Sequence, residues 1–332
     1  MLHSVFSSNR PVVFTLLIPF GIILAVLAGI YSAPPAHMMG GVLFKQLTLL
    51  LGESKIFLLI SGTLVNLASS FLINKISNDH EFTERENYFP SLVYFLFLSL
   101  NLSWFYLNPV ALGNLFLLLA LLRLLRIYRV QNVTAKLYDA GLLLMLAVLI
   151  FPPLIIALLL IWMSLGQLRT FNLREWIVPL FGIATPLIYG AVYYWWFDRT
   201  PDFYRFIKFT GLSWGELEDA NHFADYAFMI LGFALSLLGL SGFFKEMTGS
   251  TVHKKNTKAV FLWLSLLITV AYFLASGLRI DQAGTTMLWA IPCAVFLPFF
   301  FMIIKRRKLV SGAYYLWLAL GILTLVFNSI SF

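Results

Sequence analysis

The chain has 332 residues, of which 60% are hydrophobic, 17% aromatic and 11% charged, whereas a soluble domain carries about 25% charged residues. That leaves too little polar surface to cover the chain in water and excludes a water-soluble enzyme. The net charge of +8 sits in short clusters between apolar runs rather than on one basic face, so no nucleic-acid partner is expected. Cys293 is the only cysteine; no intramolecular disulfide can form, and its place inside an apolar run makes it a packing residue.

The first apolar run, Val12 to Ile30, follows Arg10. Many similar runs come after it, and Pro34-Pro35 make Ser32-Ala33 a poor cleavage site, so it reads as a retained span rather than a leader. Further runs occupy 56–73, 88–107, 109–122, 133–168, 176–197, 223–244, 259–278, 285–304 and 311–331. Crossing ~30 Å of hydrocarbon takes about 20 helical residues, with every backbone polar group bonded internally, so helices are the only spans that fit. Gly62, Asn66, Ser69 and Ser70 form a small, polar stripe on the second run, which reads first as a close-packing face and second as a polar path. Asn101 and Asn114 are isolated amides of the same kind.

Asn78-Asp79-His80-Glu81 to Glu86 is an acidic cluster with a histidine. It lacks the paired glycines, the Cys spacing and the HExxH pattern of a nucleotide or zinc site, and is expected to be a solvated loop or a partner-docking surface. Arg123, Arg126 and Arg129 form a basic edge for the cytoplasmic leaflet, where each cation gains about 1 kcal/mol from anionic lipid. Lys305-Arg306-Arg307-Lys308 has the same reading.

Run 133–168 holds Pro152-Pro153 at its middle. Adjacent prolines remove two backbone donors and disfavour helix at the residue before each. A split there yields arms of roughly 27 and 24 Å at ~1.5 Å per residue. Positive charge decides between a split and one kinked span. With the split, seventeen Lys and Arg fall inside and six outside; without it the tally is 11 against 12. The predicted fold is therefore all-α, a polytopic transmembrane helical bundle of about eleven spans. Its N-terminus is cytoplasmic, its C-terminus outside, and a proline-tipped hairpin covers 133–168. Residues 1–332 form one integral-membrane domain without a separate soluble one.

Tyr193, Tyr194, Trp195, Trp196 and Phe197 crowd the predicted outer end of their span, as an interfacial aromatic belt does. The outer segment that follows, Asp198 to His222, is the expected working surface. Thr200-Pro201-Asp202 starts a short helix, Gly211 stops it, and Phe203, Phe206 and Ile207 share its membrane-facing side. Arg199, Arg205 and Lys208 are candidate phosphate contacts, with ordinary snorkelling cations as the plainer reading. Ser213-Trp214-Gly215-Glu216 matches a capping box. Beyond it Glu218, Asp219, His222 and Asp225 fall three and four residues apart, a spacing at which carboxylates flank an imidazole. Asp219, His222 and Asp225 are the candidate catalytic residues, able to hold a divalent ion or to poise the histidine as an acid or base; a solvated helix end is the plainer reading. No specific metal or cofactor is implied. Ionisable residues are absent from the predicted helices away from their ends, which disfavours a proton-coupled pump.

Leu137-Tyr138-Asp139-Ala140-Gly141-Leu142, the Pro152-Pro153 pair and the run Arg169-Thr170-Phe171-Asn172-Leu173-Arg174-Glu175-Trp176 together resemble an uncharacterised Bacteroidota family of polytopic inner-membrane proteins, known as a domain of unknown function. The likeness covers roughly Tyr88 to Trp196 and departs from the family pattern at Tyr138, Pro152, Thr170 and Leu173. It implies the inner membrane and no established activity. Independently of the family, Asn172 is placed to cap a helix with Glu175 in its first turn, and Pro179, Gly182, Pro186 and Gly190 predict a bent, close-packed helix.

The leading functional expectation is a structural or accessory component of a cell-envelope process, with the lipid bilayer and other membrane-complex subunits as partners. The alternatives are an enzyme acting on a lipid-linked, polyprenyl saccharide at the outer surface, and a transporter of a lipid-like solute.

Overall fold

The structure, a computed structural model, describes residues 11–34, 40–52, 54–82, 87–201, 203, 234, 237, 239–277 and 282–303. Every regular element among them is helical: α1 (Pro11–Tyr31), α2 (Val42–Leu51), α3 (Lys55–Asp79), α4 (Phe89–Leu98), α5 (Pro109–Leu125), α6 (Thr134–Ile150), α7 (Leu160–Leu168), α8 (Leu173–Trp196), α9 (Val252–Gly277), α10 (Gln282–Thr285) and α11 (Ala290–Ile303). Short 3-10 segments run over Leu102–Phe105, Pro152–Leu159 and Thr286–Trp289, and residues 239–248 are helical as well. By length and composition α3, α8 and Val252–Ala275 of α9 suffice to cross a membrane. Shorter apolar helices accompany them at Thr15–Tyr31, Pro109–Leu125, Pro152–Leu168 and Thr286–Phe299.

Helix starts follow local chemistry. Ser54 Oγ accepts the Phe57 N–H, Asn108 Oδ1 accepts the Ala111 N–H ahead of Pro109, and Asn172 Oδ1 accepts the Arg174 N–H. Each satisfies an amide that the first turn leaves open. Glu175 lies in the first turn of α8, where a carboxylate complements the helix dipole.

Two expectations are adjusted. The run 88–107 is not one helix: α4 stops at Leu98, and Asn101 turns the chain by accepting from both the N–H and the hydroxyl of Ser103. A side chain that supplies its own acceptor competes with the helical ladder. Residues 42–51, expected as a connection, form α2, whose preceding Gly41 N–H donates to the Ile150 carbonyl at 2.7 Å.

The chain reverses at Pro152. Helix α6 ends at Ile150, the 3-10 segment follows, and α7 brings Arg169 back beside the carbonyls of Ile127 and Val130, in the connection that precedes α6. The two arms therefore begin and end at the same level of the bundle.

A continuous apolar core runs through α4, α5, α6, α7, α9 and α11. The polar stripe on α3 lies within it as packing: Asn66 Nδ2 donates to the Trp104 carbonyl, the Tyr94 hydroxyl donates to Asn66 Oδ1, and the Ser91 hydroxyl donates to the Ser70 carbonyl. Gly62 lets the backbone of Phe105 to Leu107 press against α3. Helix α8 is held differently. It crosses α6 where Gly141 and Gly182 meet, while Leu180, Phe181, Ile188 and Tyr189 stay exposed. Tyr194 is buried, whereas Tyr193, Trp195, Trp196 and Phe197 are exposed at the end of that helix, the distribution expected of a belt.

Candidate functional site at the charged end of the bundle

Of the outer-surface residues singled out from the sequence, Asp219, His222, Asp225, Arg205 and Lys208 lie outside the described residues. Arg199 is exposed just beyond α8, its N–H bonded to the Tyr194 carbonyl at 2.8 Å. What the described residues bring together is the opposite end of α8, where connections far apart in sequence meet.

The end of α3 starts this cluster. His80 caps the helix, the Glu81 N–H bonds the Asn78 carbonyl, and the Phe82 N–H bonds the Ser77 carbonyl. These are the paired bonds of a Schellman ending, whose left-handed position is usually glycine. Here it is Glu81, at φ 47°, in a region that costs a side-chain-bearing residue roughly 1–2 kcal/mol. Long-range contacts hold it there. Glu81 pairs with Lys254 of α9 at 2.5 Å, Asp79 pairs with Arg126 at 3.5 Å, and the fully buried Phe82 ring packs edge-on against Phe243 and Phe261.

The last turn of α5 and the residues after it form the second side. Arg123 lies 3.7 Å from Asp139, Arg129 lies over the Tyr128 ring, and the Lys136 ammonium donates to the Arg126 carbonyl. The Tyr128 ring in turn stacks on His253, centroids 4.2 Å apart. Arg169 closes this side. Its guanidinium bonds both Glu175 oxygens at 2.7 Å and donates to the Ile127 and Val130 carbonyls. The pair is mostly shielded from solvent.

The third side is α9 and the helical residues 239–248. Lys258, one of the seventeen cations counted in the inside connections, is fully buried two turns into α9. Its ammonium donates to Ser250 Oγ at 3.0 Å, lies 3.9 Å from Glu246, and stands over the rings of Phe243 and Phe299. The sequence carried a partial signal for this burial, because Lys258 directly precedes an apolar run with Glu246 and Ser250 upstream.

In the acidic cluster 78–81 the carboxylates of Asp79 and Glu81 are exposed, as expected of a solvated loop or docking surface, and the departure from that expectation is His80. His80 is only 8% exposed, two residues before the fully buried Phe82. Its Nε2 and the Nδ1 of His253 are buried, and neither finds a hydrogen-bond partner among the described residues. Burial above all pulls the His80 pKa down from 6.5 to about 4; the Asp79 carboxylate raises it, and His253 and Arg126 lower it further. Lys254 holds the exposed Glu81 carboxyl below its usual range. Among the described residues no group of three or more His, Cys, Asp or Glu side chains is placed to hold a metal ion.

His80 sets an expected pH dependence. A histidine with a depressed folded pKa stabilises the fold fully above pH ~6.5, and that stability is lost as pH falls toward 4, because only the unfolded chain takes up the proton. The loss amounts to about 3 kcal/mol. Thermal unfolding of the purified protein between pH 8 and 4 checks this: His80→Gln is expected to flatten that part of the profile, and an unchanged slope refutes the assignment.

Comparison with protein-family models, with curated proteins and with solved structures finds no match to this chain.

Proposed function

We infer that the protein is a multi-pass protein of the bacterial inner membrane that serves as a structural or accessory component of a cell-envelope process. In this reading eleven spans cross the bilayer, the N-terminus and the charged end lie in the cytoplasm, and the proline-tipped hairpin reaches the outer face. One observation carries the reading: ion pairs and cations from four separate connections gather at a single end of the bundle. The opposite end is joined by uncharged groups, such as the Tyr106 hydroxyl donating to the Ser32 carbonyl and the Leu107 N–H donating to the Leu58 carbonyl. A bundle with cations biased to one end orients with that end inside. Dense packing among α3, α4, α5 and α6 supports a scaffold, and so does the long exposed apolar side of α8. The resemblance noted over Tyr88 to Trp196 points to the same membrane.

Two measurements test this. In a Cys293→Ala background, single cysteines at Gln131 and Asn172 are expected to resist a membrane-impermeant maleimide in intact spheroplasts, while cysteines at Ser54 and Asp198 react. Labelling of Gln131 or Asn172 reverses the map. Purification of the full chain in mild detergent is expected to yield defined stoichiometric partners. Recovery as a lone chain, together with glycosyl transfer lost in Asp219→Ala, His222→Ala or Asp225→Ala, replaces the accessory role with the lipid-linked saccharide enzyme.

A further inference from the structure

We propose that the buried imidazole of His80, set against His253, is a proton-operated latch between the connection that follows α3 and the first turn of α9. The contact is built from consecutive residues on both sides. Glu81 grips Lys254, the residue after His253, and Phe82 is locked between Phe243 and Phe261. His80 and His253 are thereby held as neighbours, each with a buried ring nitrogen that has no hydrogen-bond partner among the described residues. A buried polar atom without a partner is uncommon in a folded protein and marks a place where a proton, once added, has no acceptor to receive it.

Among the described residues, the charges facing this pair come from three elements. From its own end of α3 come Asp79 and Glu81; from the residues after α5 come Arg126 and the Tyr128 ring; from α9 come His253 and Lys254, with Lys258 and its partner Glu246 a turn further on. Both nearby carboxylates are already committed, Asp79 to Arg126 and Glu81 to Lys254. A proton on His80 therefore creates a third cation beside Arg126 and Lys254, with no uncommitted carboxylate among the described residues to balance it. Opening relieves that charge. It also lets Glu81 leave the left-handed conformation that its pairing imposes.

A ligand shifts an equilibrium only by its differential affinity for the two states. A histidine held near 4 in the closed arrangement and free to return to 6.5 in the open one gives the proton about 300-fold preference for the open state.

Hydrogen–deuterium exchange of the full-length protein in lipid nanodiscs, corrected for intrinsic rates, reads the latch directly. The amides of His80, Glu81 and Phe82 are bonded to helix carbonyls when it is closed. Protection of the peptide covering residues 76–82 is expected to fall at least tenfold between pH 7 and pH 5, reversibly, while peptides from α6 stay protected. His80→Gln is expected to abolish the fall. His253→Gln removes a neighbour that holds the His80 pKa down, so the midpoint of the fall is expected to move toward pH 6.5; this variant decides the matter should His80→Gln fail to fold. Unchanged protection in the wild type down to pH 4 overturns the latch. So does an equal fall in His80→Gln, a simultaneous loss in α6, or an unmoved midpoint in His253→Gln.

Discussion

Replacing Arg169 with alanine is expected to cost about 3–5 kcal/mol, the range for breaking a shielded ion pair by removing one partner. The guanidinium makes four hydrogen bonds, two to Glu175 and two to the carbonyls of Ile127 and Val130, so one truncation frees α8, the end of α7 and the connection before α6 together. It also leaves the Glu175 carboxylate, 11% exposed, without its counter-ion. Lysine cannot repeat the planar, two-pronged contact, and Arg169→Lys is expected to recover less than half of the loss. Fluorescence-detected size-exclusion after heating measures both. The double variant Arg169→Met/Glu175→Met is expected to be milder than Arg169→Ala, because no charge remains stranded. Near-wild-type melting of Arg169→Ala would show that the contact is incidental.

Gly182→Val is expected to have the next largest effect, at a different place. A Cβ on Gly182 would meet the Tyr138 carbonyl and the Leu142 amide of α6, and one on Gly141 would meet the Pro179 carbonyl of α8. Both obstacles are backbone, which cannot swing aside as a side chain can. Overfilling a packed contact typically costs 1–3 kcal/mol, and here α8 has few other attachments to absorb a shift. The expected outcome is a lowered melting temperature with α8 readily cleaved by added protease, and Gly182→Ala intermediate. Gly166 supplies the comparison: a Cβ there meets nothing within 4 Å, so Gly166→Ala is expected to be neutral or to gain up to about 1 kcal/mol from helix propensity. Equal behaviour of Gly166→Ala and Gly182→Ala would mean that the crossing is not a tight one.

The elements most legible in the sequence are those governed by one strong local rule. The helical character of the apolar runs, the Asn172 cap, the Pro152-Pro153 turn and the glycines of α8 all follow from backbone donors, dihedral limits and side-chain size. The break inside 88–107 depended on whether Asn101 would bond its own turn or an adjacent helix, which periodicity does not decide. The charged end was the least legible. Asp79, Arg126, Glu81 and Lys254 belong to different connections, and their pairing is fixed only once α3, α5 and α9 pack. The acidic run at 78–81 is solvated at Asp79 and Glu81 as it looked, but not at His80, which lies beside the buried anchor Phe82. Lys258 was misread for a related reason: the helix begins at Val252, well before the apolar run that marks it.

The 3-10 winding after Pro152 has a geometric consequence. Eight residues in that form, Pro152–Leu159, rise ~2.0 Å each instead of ~1.5 Å, which stretches the returning arm by about 4 Å. With α7 added, the arm reaches about 29 Å in seventeen residues, close to the thickness of the hydrocarbon layer. An equally long α-helix would fall short of that thickness and thin the bilayer around it. On the proposed map, the narrower, longer-pitched coil lets a short segment match the depth of the hydrocarbon layer, in an arm that begins with the paired imino acids at the reversal.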